Sequence, residues 1–165
     1  MISYILAIIV SLSVLALDFL TKYLVKTNFA LGESRPFIDG LLNFVYIHNE
    51  GAAWGILSGK RVVLLVVTIT IMAACVFFLI KYARHNKLLF WAVSLVLSGG
   101  IGNMYDRFFR NGKVIDFLQF DFWQSFPVFN VADCAIVVGA GLLILYFILD
   151  MIKDYKEKKI NNANN

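Results

Sequence analysis

Four long apolar stretches alternate with polar segments along this chain, and that alternation sets the first expectation for its fold. The stretches run from about Ile2 to Val25, Val62 to Ile80, Leu88 to Phe108 and Val131 to Met151. A helix needs roughly 20 mostly apolar residues to cross a bilayer. At about 1.5 Å per residue, the last stretch makes about 30 Å, one hydrocarbon thickness. The pattern predicts an all-α polytopic membrane protein with four transmembrane helices, spanning 2–25, 62–80, 88–108 and 131–151 of a single integral membrane domain, 1–165. The first stretch lacks a basic leader and is too long for a cleavable signal, so it is expected to be a retained span.

The segments between the spans differ in character. Residues 26–61 are too polar to cross, and Gly32, Pro36, Asp39 and Gly40 punctuate them. Within them Leu42–His48 is rich in Phe, Val, Tyr and Ile, which predicts a strand or hairpin. Asn49-Glu50-Gly51-Ala52-Ala53-Trp54 follows. Gly51 and the alanines would let backbone approach a ligand closely, and Asn49 supplies both a donor and an acceptor. The same six residues also read as an ordinary interfacial turn with Trp54 as its anchor. Residues 81–87 form a tight basic loop, 109–130 are polar, and the tail carries Lys153, Lys156, Lys158 and Lys159 before an Asn-rich end expected to be disordered. Ser98 and Gly102 are four apart, the spacing of a small-residue packing face.

An even number of spans puts both termini on one side. Basic residues beside short segments favour the cytoplasm, which assigns 81–87 and 152–165 there and 26–61 and 109–130 outside. The outer segments carry Lys26, Arg35, Lys60, Arg61, Arg110 and Lys113, so the bias rests on the short loop and the tail.

Composition agrees with a membrane protein: 60% of the residues are hydrophobic, against about half in soluble domains. The net charge of +4 comes largely from the short loop and the tail, and reads as orientation in the membrane, with no nucleic-acid partner. Cys75 and Cys134 both fall in spans, which suggests apolar packing and neither a disulfide framework nor a zinc site. His48 and His85 are too few for a histidine metal cluster. No metal or cofactor is expected.

The charged groups within the spans carry the functional signal, because such groups are expensive in a bilayer and mark sites by default. Asp18 and Lys22 share a helix face at i, i+4 near the end of the first span. They read either as a buried pair that packs the bundle or as support for a polar site. Asn103, Asp106 and Arg107 end the third span, and Asp133 lies in the first turn of the fourth. Three helices thus bring polar residues to one depth on one side. Asp116 and Asp133 lie on different elements, separated by Pro127, and could face each other across the mouth of the bundle. Two close carboxylates share a proton, one acting as base on water and the other as acid toward a carbonyl. The alternatives are that Asp133 only favours a helix start capped by Asn130, and that Asp116 is an interfacial loop acid.

These residues fall in blocks. Asp18-Phe-Leu-Thr-Lys22, Asn49-Glu-Gly-Ala-Ala-Trp54, Gly99-Gly-Ile-Gly-Asn103-Met-Tyr-Asp106-Arg107, Val114-Ile-Asp116-Phe117 and Phe129-Asn130-Val-Ala-Asp133 occur in that order. With the short length and four spans, the chain resembles the bacterial lipoprotein signal peptidases, the type II family, over nearly its whole length. The family usually has Phe where this chain has Trp54, and the aromatic character is kept. The resemblance implies an extracytoplasmic β-like cradle between helices 1 and 2, and Asp116 and Asp133 as catalytic aspartates. It further implies an intramembrane aspartic endopeptidase that cuts a prolipoprotein signal peptide just before a diacylglyceryl-modified cysteine, and sensitivity to globomycin-type cyclic peptides. Asn49, Gly51, Asn103, Arg107 and Asn130 become candidates for positioning substrate backbone and holding the aspartates, with Asp18 and Lys22 as support. The expected setting is the bacterial cytoplasmic (inner) membrane, multi-pass, with the site at the outer face. Lipidated prolipoproteins and membrane lipid are the expected partners, and the chain is expected to act as a monomer. The rival class is a transporter or proton-conducting protein, which would place its buried charges nearer the midplane. A presenilin-like protease would need a Gly-x-Gly-Asp motif that this chain lacks.

Overall fold

The computed structural model describes residues 1–83 and 86–163. Arg84 and His85 of the basic loop, and Asn164 and Asn165 of the tail, lie outside the described residues. Four helices dominate: α1 (Ile2–Asn28), α2 (Arg61–Lys81), α3 (Lys87–Phe109) and α4 (Val131–Ala163). All four are long and apolar enough to cross a membrane. The apolar stretches propagate as helices because a bilayer leaves backbone N–H and C=O groups no partners except their own.

α3 is the central helix. In its span 56% of the residues are buried, against 11% in each of the others, so α1, α2 and α4 wrap it and turn their remaining faces outward to lipid. Its small residues make this possible. A Cβ on Gly99 would collide with the Ala132 carbonyl oxygen of α4, one on Gly102 would lie 2.6 Å from Asp18 Oδ2 of α1, and one on Gly100 would lie 3.2 Å from Met72 Sδ of α2. Ser98 donates from Oγ to the Ser11 carbonyl at 2.6 Å. The small-residue face foreseen at Ser98 and Gly102 therefore packs α1, and Gly99 extends it toward α4.

Three strands form one antiparallel sheet in the order β1 (Ser34–Ile38), β2 (Leu42–Asn49), β3 (Val114–Phe120). The hairpin between β1 and β2 turns at Asp39-Gly40, where Gly40 takes the left-handed conformation (φ 73°) that such a turn favours. Pro36 sits on the edge strand, where its missing N–H breaks no ladder inside the sheet. β2 carries a bulge: Phe44 pairs with Leu118, but Ile47 pairs with Asp116, so one extra residue is accommodated. An apolar cluster of Val25, Tyr46, Ile115 and Phe117, joined by Phe29 and Val131, roots the sheet on the end of α1 and the start of α4.

Three sequence expectations change. The expected cradle between helices 1 and 2 is present, but its third strand comes from between α3 and α4; Asp116 lies on that strand and not in a loop. Val114–Phe120 pairs across a long sequence gap, which local pattern does not reveal. The last helix runs twelve residues past Met151, through the basic tail, to Ala163, and so enters the Asn-rich end for which disorder was expected. Residues 152–163 contain neither Gly nor Pro, and Lys153 pairs with Glu157 one turn on, at 3.8 Å. Cys75 is buried as expected, whereas Cys134 is exposed on the surface of α4.

Candidate active site

At the sheet end of the bundle the polar residues of three helices and two strands join into one hydrogen-bonded network. Its pivot is Asn130, just before α4, which is fully buried. Its Oδ1 accepts from the Asp133 backbone N–H at 2.9 Å, and Asp133 Oδ2 accepts in return from the Asn130 backbone N–H at 3.1 Å. This reciprocal arrangement is a capping box, which satisfies orphan donors of the helix start. The local helix-start reading of Asn130 and Asp133 is therefore correct, and it also fixes the Asp133 carboxylate in space. The Asn130 side-chain amide then donates to Asp116 Oδ1 at 2.6 Å, and reaches Asn103 Oδ1 at 3.0 Å and the Ile115 carbonyl at 3.3 Å. One asparagine thus ties the two carboxylates together.

The other oxygens are also held. Asn49 donates from Nδ2 to Asp116 Oδ2 at 2.9 Å, and Asn103 donates from Nδ2 to Asp133 Oδ1 at 2.7 Å. Asp116 is 1% exposed, whereas Asp133 is only half-buried and meets the outside. Burial, and then the neighbouring Asp133 charge, push the Asp116 carboxyl up from its ordinary 3.8 to about 7. An acid so placed can keep a proton near neutral pH.

Behind the carboxylates lies Lys22, fully buried on α1. Its Nζ is 2.8 Å from Asp18 Oδ2, 3.1 Å from Asp106 Oδ2 and 3.0 Å from Asn103 Oδ1. Asp18 and Lys22 do pair, but not in isolation. Asp18 Oδ1 accepts the Ala132 backbone N–H of α4 at 3.0 Å, so the pair clamps α1 to the helix bearing Asp133. Asp106 was left out of the sequence-based site, yet it links α1, α3 and β3. It accepts from Arg110 at 2.6 Å and from the Ile115 backbone N–H at 3.2 Å. The i, i+4 spacing of Asp106 and Arg110 was the signal that could have found it.

Arg107 is 9% exposed and donates from Nη2 to the Gly51 carbonyl at 3.1 Å. Its Nε is buried with no hydrogen-bond partner among the described residues. The Gly51 backbone N–H donates to Asn49 Oδ1 at 2.9 Å, which orients the amide that holds Asp116. A Cβ at Gly51 would sit 2.8 Å from the Ile56 carbonyl oxygen, so only glycine fits that tight turn. Asn49, Gly51, Asn103, Arg107, Asn130, Asp18 and Lys22 are therefore all brought together with Asp116 and Asp133. Among the described residues, no three His, Cys, Asp or Glu side chains gather so as to hold a metal ion.

A bundle of spanning helices with a carboxylate pair, one member on a small sheet and the other at a helix start, defines a multi-pass membrane protein with an enzyme-like site. Comparison with known proteins makes that specific. The family described as Signal peptidase (SPase) II matches residues 10–149, and the chain belongs to this family of membrane peptidases. Its relatives include the lipoprotein signal peptidase of Halalkalibacterium halodurans, 42% identical over 91% of this chain and 96% of that one. That of Staphylococcus aureus is 38% identical over 93% and 94%. Two solved structures described as bacterial membrane enzymes, each 38% identical, superpose with TM-scores of 0.82, covering 88% of both chains, and 0.77, covering 86% of this chain and 91% of the other.

Proposed function

We propose that this chain is an intramembrane aspartic endopeptidase that removes the signal peptide from diacylglyceryl-modified prolipoproteins, cutting just before the lipidated cysteine. The observation that carries this reading is the Asn130 amide and backbone gripping both Asp116 and Asp133. Asp133, half-open to the outside, acts as base on the attacking water. Asp116, deeper and pushed up to about 7, gives its proton to the scissile carbonyl oxygen. The tetrahedral intermediate then collapses: Asp133 passes the proton it took from water to the amide nitrogen, the C–N bond breaks, and Asp116 takes back a proton from the diol as the new carboxyl forms. Arg107 holds the turn that carries Asn49, through its hydrogen bond to the Gly51 carbonyl. Asp18 and Lys22 support this pair without touching it.

A lipidated substrate partitions into the bilayer, so its scissile bond lies near the interface where the network sits. The protein acts in the bacterial cytoplasmic membrane with this site at the outer face. Every residue of the network comes from one chain, so a monomer suffices. Cyclic peptides of the globomycin type are the expected inhibitors. The test is to incubate the purified protein with a lipidated prolipoprotein and follow it by mass spectrometry. The expected product begins at the lipidated cysteine; an intact substrate, or cleavage elsewhere, refutes the assignment.

A further inference from the structure

Beside the carboxylate pair lies a cavity of about 550 Å³, within the roughly 300–1,000 Å³ typical of ligand pockets. One wall is the turn after Asn49, and the other is the end of β3 with the loop leading to α4. Asn49 and Trp54 line the first wall; Gln119, Gln124, Ser125 and Phe126 line the second. The Trp54 and Phe126 rings meet edge to face with centroids 5.8 Å apart, so the walls touch across the opening.

The Trp54 wall is built against local preference. Trp54 has a φ of 54°, in the left-handed region that bulky residues avoid. The turn is closed by the Ala52 N–H donating to the Ile56 carbonyl at 2.7 Å, and Arg107 ties its base at the Gly51 carbonyl. Backbone strain of this kind persists only where surrounding structure imposes it. Here the result is a 65% exposed indole standing over the cavity.

We infer that this cavity receives the substrate chain beyond the scissile bond, the few residues that follow the lipid-bearing cysteine. The inference rests on the peptidase reading above. Continuity supports it: Asn49 lines the cavity and, through the same side chain, holds Asp116. The cavity and the carboxylate pair are thus separated by a single side chain, that of Asn49, over which a peptide with its carbonyl at the carboxylates would pass. Chemistry supports it too. Three carboxamides, two hydroxyls, the His48 ring and the Glu50 carboxylate sit among aromatic and aliphatic walls, which suits a peptide with a polar backbone. The signal segment is an apolar helix, and the bare outer faces of α1, α2 and α4 suit it better. The residues after the cysteine are the part that must leave for water, and the cavity lies on the sheet side. Gln119 and Gln124 then bind backbone, and Trp54 with Phe126 clamps it, so recognition depends on the length of the segment more than on its side chains.

The experiment uses two synthetic substrates with the same signal peptide and the same diacylglyceryl cysteine. One ends at that cysteine as an amide; the other continues for several polar residues. For the wild-type protein in detergent, the longer substrate should have a KM about tenfold lower with similar kcat, about 1.4 kcal/mol of added binding. Gln119→Ala with Gln124→Ala, and separately Phe126→Leu, should shrink that advantage to about twofold, each variant being checked for unchanged thermal unfolding. Equal kcat/KM for the two substrates in wild type overturns the inference and leaves the peptidase reading standing. A variant that weakens both substrates equally also overturns it. If wild type cuts neither substrate, the peptidase reading itself fails, and the inference falls with it.

Discussion

Replacing Lys22 with methionine tests whether the buried network behind the carboxylates holds the bundle together. Lys22 is fully buried, and its Nζ lies within 3.1 Å of an oxygen on Asp18, Asp106 and Asn103. Lys22→Met leaves Asp18 with no cation and Asp106 with Arg110 alone. Removing one partner of a buried ion pair typically costs about 3–5 kcal/mol, and the donor lost by Asn103 adds about 1 kcal/mol. The expected loss of about 4–6 kcal/mol is a large share of the roughly 5–15 kcal/mol that holds a domain folded. Neutralising Asp18 as well should recover part of it, and the choice of residue matters. Asp18→Asn keeps an acceptor for the Ala132 N–H, whereas Asp18→Leu strands that buried donor at a cost of about 1–3 kcal/mol. Neither double variant should return to wild type, because Asp106 still lacks Lys22. The assay is unfolding in mixed micelles with rising denaturing detergent, with product formation followed on the same preparations. A Lys22→Met protein within about 1 kcal/mol of wild type would refute the reasoning, as would Lys22→Met/Asp18→Leu with full wild-type stability.

Asp116→Asn and Asp133→Asn should each abolish cleavage with the unfolding transition retained, since an amide cannot exchange the proton; near-normal turnover in either would sink the aspartic mechanism. Because Asp116 is held at about 7, the native state keeps a proton that the unfolded chain releases near 3.8. Its contribution to stability is therefore present at low pH and declines as pH rises from about 4 to 7; chemical unfolding across that range should show the slope, and Asp116→Asn should flatten it. Turnover should fall as pH rises through about 7, and a rate still climbing there contradicts Asp116 as the acid. A reporter fused after Lys159 should read as cytoplasmic and one inserted near Ser34 as external; the reverse pattern moves the site to the other face. Gly99→Ala places a methyl against the Ala132 carbonyl and should lower both stability and kcat by shifting α4, whereas Gly141→Ala, with nothing within 4 Å, should be silent in both.

The membrane architecture is legible in the sequence because it follows from local composition. Any run of about twenty apolar residues must satisfy its own backbone in lipid, so Val62–Ile80 needs no tertiary partner to be recognised as a span. The depth of the polar zone is legible for the same reason: Asp18, Asn103 and Asp133 sit near the matching ends of their helices. Position along a helix converts directly into position across the bilayer. The ordered blocks of polar residues were enough to suggest the family.

What the folded chain decides is pairing. β3 forms only because Val114–Phe120 finds β2 more than sixty residues away, and the bulge near Tyr46 resets the register that puts Ile47 opposite Asp116. Asp18 and Lys22 look like a closed pair at i, i+4, but tertiary packing gives Lys22 a second carboxylate on α3 and gives Asp18 a backbone donor on α4. Asn130 looks like a helix cap, and it is one; only when α4 lies against α3 and β3 does its other amide face reach Asn103 and Asp116. These contacts span gaps that no local periodicity encodes, because helix and strand patterns record which side of an element is apolar and not which partner will meet it.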